Sequence, residues 1–215
     1  EVDAVETRDL RAPALSRLRL GADGLIGVDV LRDRRVLMNF LRGELSISSQ
    51  SGDLDSRGAF DMKRSGTGLS SGLGKPIIVP ARYRFGQLII VGADVARHRV
   101  TAFVDTGSQS TVGNNALRSA VMESGAAPKA VRSVVPVLSA TGQTAQAELG
   151  VLPQLRIGGL SINGLTTAFA DLHVFKLWDL LDRPSLLLGM DVLRQFTAIE
   201  LNYARRHIAF YLRSS

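Results

Sequence analysis

The 215-residue sequence contains no cysteine. Disulfide bonds, thiolate catalysis and cysteine-ligated zinc sites are therefore excluded. The three histidines, His98, His173 and His207, are too scattered along the chain to form a local metal motif. We therefore expect no metal site.

Aromatic residues are also scarce, at 6% of the chain, which is few for a base-stacking surface. The net charge of +6 comes from Lys and Arg spread thinly along the sequence, so we expect no nucleic-acid partner. No apolar run approaches the ~18 to 20 residues of a membrane-spanning helix, so no membrane span is expected.

Glycine and serine, by contrast, are concentrated in one stretch, where they supply nearly half of the positions from 48 to 75. Such a composition buries too little apolar surface to offset its ordering entropy, which predicts a flexible linker over residues 48–78. The linker divides the chain into a short front piece, 1–47, and a longer rear piece, 79–215.

The rear piece has the pattern of an all-β domain. Short runs rich in β-branched residues are punctuated by Gly, Asp and Asn, which is typical of a small barrel or sandwich. A helix is predicted over Asn114–Ser124 from its apolar spacing and the stop at Gly125. A second, short helix is predicted over Val192–Phe196, with Asp191 as its N-cap.

The front piece resembles the end of the rear piece. Gly27-Val28-Asp29-Val30-Leu31 in the front matches Gly189-Met190-Asp191-Val192-Leu193 in the rear. After a one-residue slip, Asn39-Phe40 matches Asn202-Tyr203. The match predicts that residues 1–47 are the C-terminal part of a first lobe, with Asp29 as a helix N-cap like Asp191. Because the chain starts at Glu1 and not at Met, we expect an upstream region that holds the start of this lobe.

The motif that carries chemistry is Asp105-Thr106-Gly107, followed by Ser108. It comes directly after the apolar segment Phe103-Val104, and it is the only Asp-Thr/Ser-Gly in the sequence. An apolar strand delivers the carboxylate to a rigid position, and the glycine permits a tight turn close to a ligand. A surface turn after a strand is the alternative for the tripeptide alone.

The rear piece as a whole resembles the bacterial retropepsin-like aspartic proteases. Three parts match in order: the apolar strand with Asp105-Thr106-Gly107, a glycine-containing hairpin at Ala140–Gln143, and Leu187-Leu188-Gly189 before a short helix and two closing strands. The resemblance implies an all-β fold, a small closed β-barrel with a flap hairpin and one or two short helices. It also implies that 79–215 is a complete lobe.

The same resemblance assigns roles to individual residues. Asp105 is the implied catalytic carboxylate; Thr106, Gly107 and Ser108 support the active-site turn, and Leu188 and Gly189 pack beneath it. The implied flap residues, which close over substrate, are Ala140, Thr141, Gly142 and Gln143. The implied partner is a polypeptide substrate, and no cofactor is implied.

One carboxylate does not suffice for this chemistry, because aspartic proteases use two that share a proton. Two sources of the second remain open: a homodimer that pairs two copies of Asp105, or a pseudo-dimer in which the upstream lobe supplies its own Asp. A non-catalytic peptide-binding or dimerisation module is the alternative function, and a scaffold for acidic polymers is a weaker third. The absence of cysteine and the start at Glu1 favour a bacterial periplasmic or envelope location.

Overall fold

The computed structural model describes residues 25–49, 73–125, 129–138 and 144–213. Most of the predicted linker and all four predicted flap residues, 140–143, lie outside these ranges. The helices are α1 (Val28–Leu31), α2 (Asn115–Glu123), α3 (His173–Leu177) and α4 (Met190–Leu193). The strands are β1 (Arg34–Asn39), β2 (Glu44–Ser49), β3 (Ile77–Arg84), β4 (Gln87–Ile90), β5 (Ala93–Val95), β6 (His98–Arg99), β7 (Thr101–Val104), β8 (Val112–Gly113), β9 (Lys129–Leu138), β10 (Thr144–Ile157), β11 (Leu160–Phe169), β12 (Ser185–Leu188), β13 (Ala198–Asn202) and β14 (His207–Tyr211).

The all-β prediction is confirmed, but the predicted closed barrel is wrong. The strands form one open sheet in the order β2-β1-β13-β14-β3-β4-β7-β12-β8-β11-β10-β5-β6, with β9 paired to β10. The sheet stays open because the front hairpin β1–β2 adds to the free edge of β13, while β5 and β6 extend the opposite end. Among the described strands, the two ends of the sheet do not pair.

The helix α2 begins where the sequence predicts. The side chain of Asn114 caps it by accepting a hydrogen bond from the Leu117 N–H at 2.9 Å. The helix α4, by contrast, begins before the predicted start at Val192, with Gly189 as its N-cap. The helix α3 lies in a segment for which the sequence predicted no helix, because five residues are too few to show a helical period.

The domain has two main apolar clusters on opposite faces of β7. The larger contains Val104 with Leu117, Leu186 and Leu188, and the smaller contains Phe103 with Phe175 and Leu187. Alternate residues of a strand point to opposite faces, so β7 is anchored on both sides. This anchoring fixes the point at which the strand delivers Asp105.

The front hairpin is paired to the rear domain. Strand β1 runs antiparallel to β13, with Arg35 opposite Asn202 and Leu37 opposite Glu200. Arg35 also donates a hydrogen bond to the buried Glu200 carboxylate at 2.8 Å. Since Val36 and Leu37 are buried, the two pieces share apolar surface as well as backbone hydrogen bonds.

The front and rear hairpins have the same side-chain hydrogen bond in their turns. The side-chain oxygen of Asn39 accepts from the Arg42 N–H at 3.1 Å, and that of Asn202 accepts from the Arg205 N–H at 2.8 Å. The two acceptors and the two donors thus occupy equivalent positions in the two hairpins. Gly43 and Arg206, which follow the donors, both have positive φ, of 67° and 52°.

The helices match as well. Helices α1 and α4 have the same length, and both follow a glycine. In each, that glycine's carbonyl accepts from a valine N–H, that of Val30 at 3.2 Å and that of Val192 at 3.1 Å. The two units thus share the position of the helix start and the turn hydrogen bonds. The repeat relates two copies of one helix-hairpin unit.

Candidate active site

The candidate active site lies where the chain passes over the end of a neighbouring strand. Strand β12 lies between β7 and β8, parallel to β7 and antiparallel to β8. The chain leaves β7 at Val104, crosses the end of β12 and returns in β8 at Val112. Residues 105–111 therefore form a loop above Leu188 and Gly189.

Asp105 is held at the start of this loop by backbone hydrogen bonds. Its N–H donates to the Leu188 carbonyl at 3.0 Å, and its carboxylate accepts from the Gly107 N–H at 3.0 Å. The Ser108 N–H donates to the Asp105 carbonyl at 3.2 Å, which closes the turn. Among the described residues, backbone groups alone thereby fix the carboxylate.

Burial raises the pKa of the Asp105 carboxyl above its ordinary value. The N–H groups of Gly107 and Ser108 act in the opposite direction, because they stabilise the charged form, but they do not overcome the loss of hydration. Asp105 is half-buried, so its carboxyl is partly desolvated and still reachable from the surface. The site favours a carboxyl group that keeps its proton to higher pH than a solvated Asp does.

Gly189 lies directly beneath the loop. A Cβ atom there would come within 2.5 Å of the Ser110 carbonyl carbon and 2.9 Å of the Thr111 nitrogen. No larger residue fits unless the loop backbone moves. Leu188, fully buried, pairs with Val104 next to it. The structure thus brings both predicted support residues to the loop that carries Asp105.

A polar clamp that the sequence did not predict fixes the far end of the loop. The Asp191 carboxylate accepts from the Thr111 N–H at 2.9 Å and from the Thr111 hydroxyl at 2.8 Å. The Gly189 N–H in turn donates to that hydroxyl oxygen at 3.1 Å. Thr111 is buried, so its side of the clamp is shielded from water.

The prediction that Asp191 is a helix N-cap is wrong, and so is that for Asp29. Both residues lie in the first turn, and the N-caps are Gly189 and Gly27. Asp191 differs because its carboxylate is bound by Thr111, from a distant part of the chain. The sequence pattern is the same whether the Asp caps a helix or binds a distant residue, so the sequence alone could not distinguish the two roles.

The other predicted turn residues lie at or near the surface. Thr106 and Gly107 are exposed, and the Thr106 hydroxyl makes no hydrogen bond to another described residue. The Ser108 hydroxyl donates to the Ser110 carbonyl at 2.7 Å, within the loop. Gly107 and Thr106 are therefore the parts of the turn that a ligand or second lobe can reach.

The strands that flank the predicted flap pack against the smaller apolar cluster. Strands β9 and β10 pair from Leu138 with Thr144 down to Val134 with Glu148. Val135, Val137 and Ala147 pack in the cluster that holds Phe103. The half-buried Trp178 covers the same cluster, with its ring 4.7 Å from that of Phe103.

Residues 91–192 match the family model described as aspartyl protease. The family resemblance predicted from the sequence is confirmed. The matched region is slightly less than half of the chain, and it contains Asp105, Thr111 and Gly189. The front hairpin and the two closing strands, β13 and β14, lie outside the matched region.

A solved structure is also similar. It is the crystal structure of a retropepsin-like aspartic protease from Rickettsia conorii, which is 21% identical. The match covers 64% of this chain and 90% of that chain, with a TM-score of 0.41. No curated protein matches the chain.

Neither a metal-binding cluster nor a membrane-spanning helix is present in the described residues. No group of three or more His, Asp or Glu side chains lies close enough together to hold a metal ion. Within the same ranges, no helix is both long and apolar enough to cross a membrane.

Proposed function

We propose that this chain forms part of an aspartic endopeptidase in which Asp105 is one of two carboxylates that activate a water molecule. In such a pair, the charged carboxylate deprotonates the water that attacks the peptide carbonyl, and the protonated one hydrogen-bonds the carbonyl oxygen. The observation that carries the proposal is the backbone-fixed Asp105 carboxylate within the region that matches the aspartyl protease family.

The electrostatics of the turn support this role. A shared proton requires that one carboxyl resist ionisation, and burial raises the pKa of Asp105 in this direction. The Gly107 N–H meanwhile holds one carboxylate oxygen in place. The same group is thus both fixed and partly desolvated, as a general acid–base pair needs.

The front hairpin favours an upstream lobe as the source of the second Asp. Strand β1 pairs with β13 along Ala198–Asn202, so that edge of the rear sheet is already occupied. A second copy that offered its own β13–β14 hairpin to the same edge would have to displace β1. Leu37 and Glu200 occupy equivalent positions in the two hairpins, and they lie opposite each other where β1 pairs with β13. Equivalent residues that face each other across antiparallel strands are related by a local two-fold axis.

The substrate class follows from the same architecture. A cleft between two lobes, covered by the β9–β10 hairpin, binds a polypeptide in an extended conformation through backbone hydrogen bonds. The exposed Gly107 offers its backbone to such a strand. In this proposal Ala140, Thr141, Gly142 and Gln143 form the tip of the covering hairpin.

The test is replacement of Asp105 by Asn in the native polypeptide, with any sequence that precedes residue 1. Cleavage of a mixed peptide library between pH 3 and pH 7 should fall by a factor of roughly a thousand or more, because an amide neither holds the shared proton nor activates water. Asp182→Asn, at an exposed loop position, is the matched control and should cleave like the wild type. Undiminished cleavage by Asp105→Asn would overturn the proposal.

A non-catalytic peptide-binding module is the second candidate. One observation favours it: no carboxylate among the described residues contributes to the pKa of Asp105. Such a module would bind extended peptides with equal affinity before and after the Asp105→Asn change, and the wild type would leave them intact. Peptide cleavage by the wild type, together with none by Asp105→Asn, excludes the non-catalytic module.

A further inference from the structure

Strand β11 has an edge that no described strand covers. On its β8 side it pairs only at Ala168 and Phe169, with Val112 and Gly113. Residues 160–167 face no strand on that side in the described part of the chain. The backbone groups that point away from β10 there therefore have no partner from a β-ladder.

A cavity lies beside this edge. It has a volume of about 230 Å³, and it is lined by residues 162–166 on one side and by Asp191 and Gln195, from the turn that contains α4, on the other. A single water molecule needs only roughly 10 to 15 Å³ of such space. The cavity is therefore large enough for the head group of a side chain.

The strand wall of the cavity is open at its centre. Gly164 has a positive φ of 63°, and a Cβ atom added there would meet no described atom within 4 Å. A glycine inside a strand often marks a place where another group approaches the backbone closely. Gly164 thus leaves the backbone of this wall accessible.

The charge of the cavity comes from the exposed Asp191. Its carboxylate accepts from the N–H and the hydroxyl of Thr111 and from the Val192 N–H, all of which are neutral donors. No described Lys, Arg or His lines the cavity or forms an ion pair with Asp191. The hydroxyl of Thr166, on the opposite wall, also makes no hydrogen bond with a described residue. The cavity therefore has negative charge that no cation of the described chain balances.

We propose that this cavity binds one arginine side chain of a polypeptide partner, whose guanidinium group pairs with Asp191. The acceptors around the cavity lie in several directions: the Asp191 carboxylate on one wall, and the Thr166 hydroxyl with the carbonyl groups of the β11 edge on the other. A guanidinium group has five N–H donors in a planar fork, whereas a lysine ammonium is a compact point charge. The arrangement thus favours arginine over lysine.

The bound guanidinium would share a carboxylate with the loop of Asp105. Asp191 holds Thr111, which is the last residue of that loop. The partner therefore contacts the group that fixes the far end of the loop, on the side away from Asp105. Arginine binding at this cavity does not depend on catalysis by Asp105.

The test is titration of the 215-residue chain with the tripeptide Gly-Arg-Gly, acetylated and amidated at its ends, followed by the backbone amide resonances. The resonances of Ile162–Thr166 and of Thr111 should shift together. The same peptide with citrulline, which has the shape of arginine without its charge, should bind about fivefold more weakly, the size of one ion pair. The absence of shifts at these residues, or equal affinity for the two peptides, overturns the inference.

Three variants show whether the cavity is the binding site. Asp191→Asn should bind the arginine and citrulline peptides equally. Thr166→Arg places a guanidinium group on the cavity wall within the chain itself, and should bind the arginine peptide roughly fivefold more weakly than the wild type does. Ser119→Arg adds the same charge at an exposed position of α2 outside the cavity, and should bind like the wild type.

The variants also contain the outcomes that contradict the inference. Equal binding by Thr166→Arg and Ser119→Arg would place the arginine peptide elsewhere on the surface. A preference for arginine that persists in Asp191→Asn would exclude the ion pair. The amide resonances of Ala198–Asn202 report whether each variant is folded, and Thr166→Arg gives the decision if Asp191→Asn is not.

Discussion

The front unit, residues 25–49, and the rear unit, residues 187–211, share a sequence pattern and the order of a short helix and a hairpin, but they differ in what covers them. Each consists of a short helix after a glycine and a hairpin with an Asn-capped turn. In the rear unit the residues before the helix are buried under the Asp105 loop, whereas in the front unit they are exposed. The local structure is thus encoded within each unit, but the burial of its first residues depends on another part of the polypeptide.

The difference between the two glycines should give the largest effect. In residues 1–215, Gly189→Ala should lower the free energy of unfolding by about 4 kcal/mol or prevent folding, because the loop backbone at Ser110 and Thr111 must move. Gly27→Ala should change it by less than about 0.5 kcal/mol, since only the Asp29 side chain has to rotate. Urea denaturation measures both values. Equal losses of stability in the two variants would mean that backbone also packs against Gly27 in residues 1–215.

The Arg35–Glu200 pair tests how the two units are joined. Burial raises the pKa of Glu200, but the hydrogen bond and charge of Arg35, with smaller contributions from Asn202 and His207, outweigh it, so the pKa is lowered overall. Arg35→Met leaves the carboxylate in its buried place, 3.6 Å from His207 and 3.5 Å from the Tyr211 hydroxyl. We expect a loss of about 2 kcal/mol at pH 7, less than for a fully buried pair because Arg35 is partly exposed. Guanidinium denaturation measures it, and an unchanged stability would show that the pair does not join the units.

The same pair predicts a pH dependence. A carboxyl whose pKa is lowered in the folded state stabilises the fold above its unfolded pKa, and this contribution is lost as the pH falls through the folded value. The difference between the wild type and Arg35→Met should therefore be largest near neutral pH and shrink as the pH falls through the folded pKa of Glu200, first in the variant and then in the wild type. Thermal unfolding followed from pH 7 to pH 3 measures this. A difference that is constant over that range contradicts the ionic contribution.

The two aspartates in the first helical turns should respond differently to the same change. Asp191→Asn replaces one acceptor oxygen of the Thr111 clamp with an NH₂ group, and should lower the free energy of unfolding by about 1 to 2 kcal/mol. Asp29→Asn in residues 1–215 should leave it unchanged within about 0.5 kcal/mol. Denaturant titration of both variants gives the comparison. A similar loss for both would show that Asp29 already has a partner.

Substitution of the turn asparagines, Asn39 and Asn202, should give the smallest loss of stability among the structural sites, and the two losses should be similar. Asn39→Ala and Asn202→Ala each remove one hydrogen bond to a backbone N–H of the turn, at a cost of about 1 kcal/mol. Asn202 also donates to Glu200 at 3.4 Å, so its loss should be slightly the larger. Chemical denaturation checks both. A loss at one site alone would show that the hairpins are alike in shape but not in energetics.

The sequence predicted the parts of the fold that are local. The helix that follows Asn114, the strands on either side of the predicted flap and the strand before Asp105 all follow from short-range pattern. The open sheet could not be predicted in this way, because whether β13 closes a barrel or accepts β1 depends on pairing between residues at opposite ends of the chain. The five-residue helix α3 was missed because it is too short to show a period.

For the site, the sequence by itself determined the Asp105-Thr106-Gly107 turn, the glycine beneath it and the likeness of the front unit to the rear one. Only the tertiary structure decided that Asp191 clamps Thr111, while Asp29 meets no described partner. The physical reason is that a side chain's role depends on which donors and apolar groups surround it. Two similar short segments acquire different roles once one is covered by a strand and loop and the other is exposed.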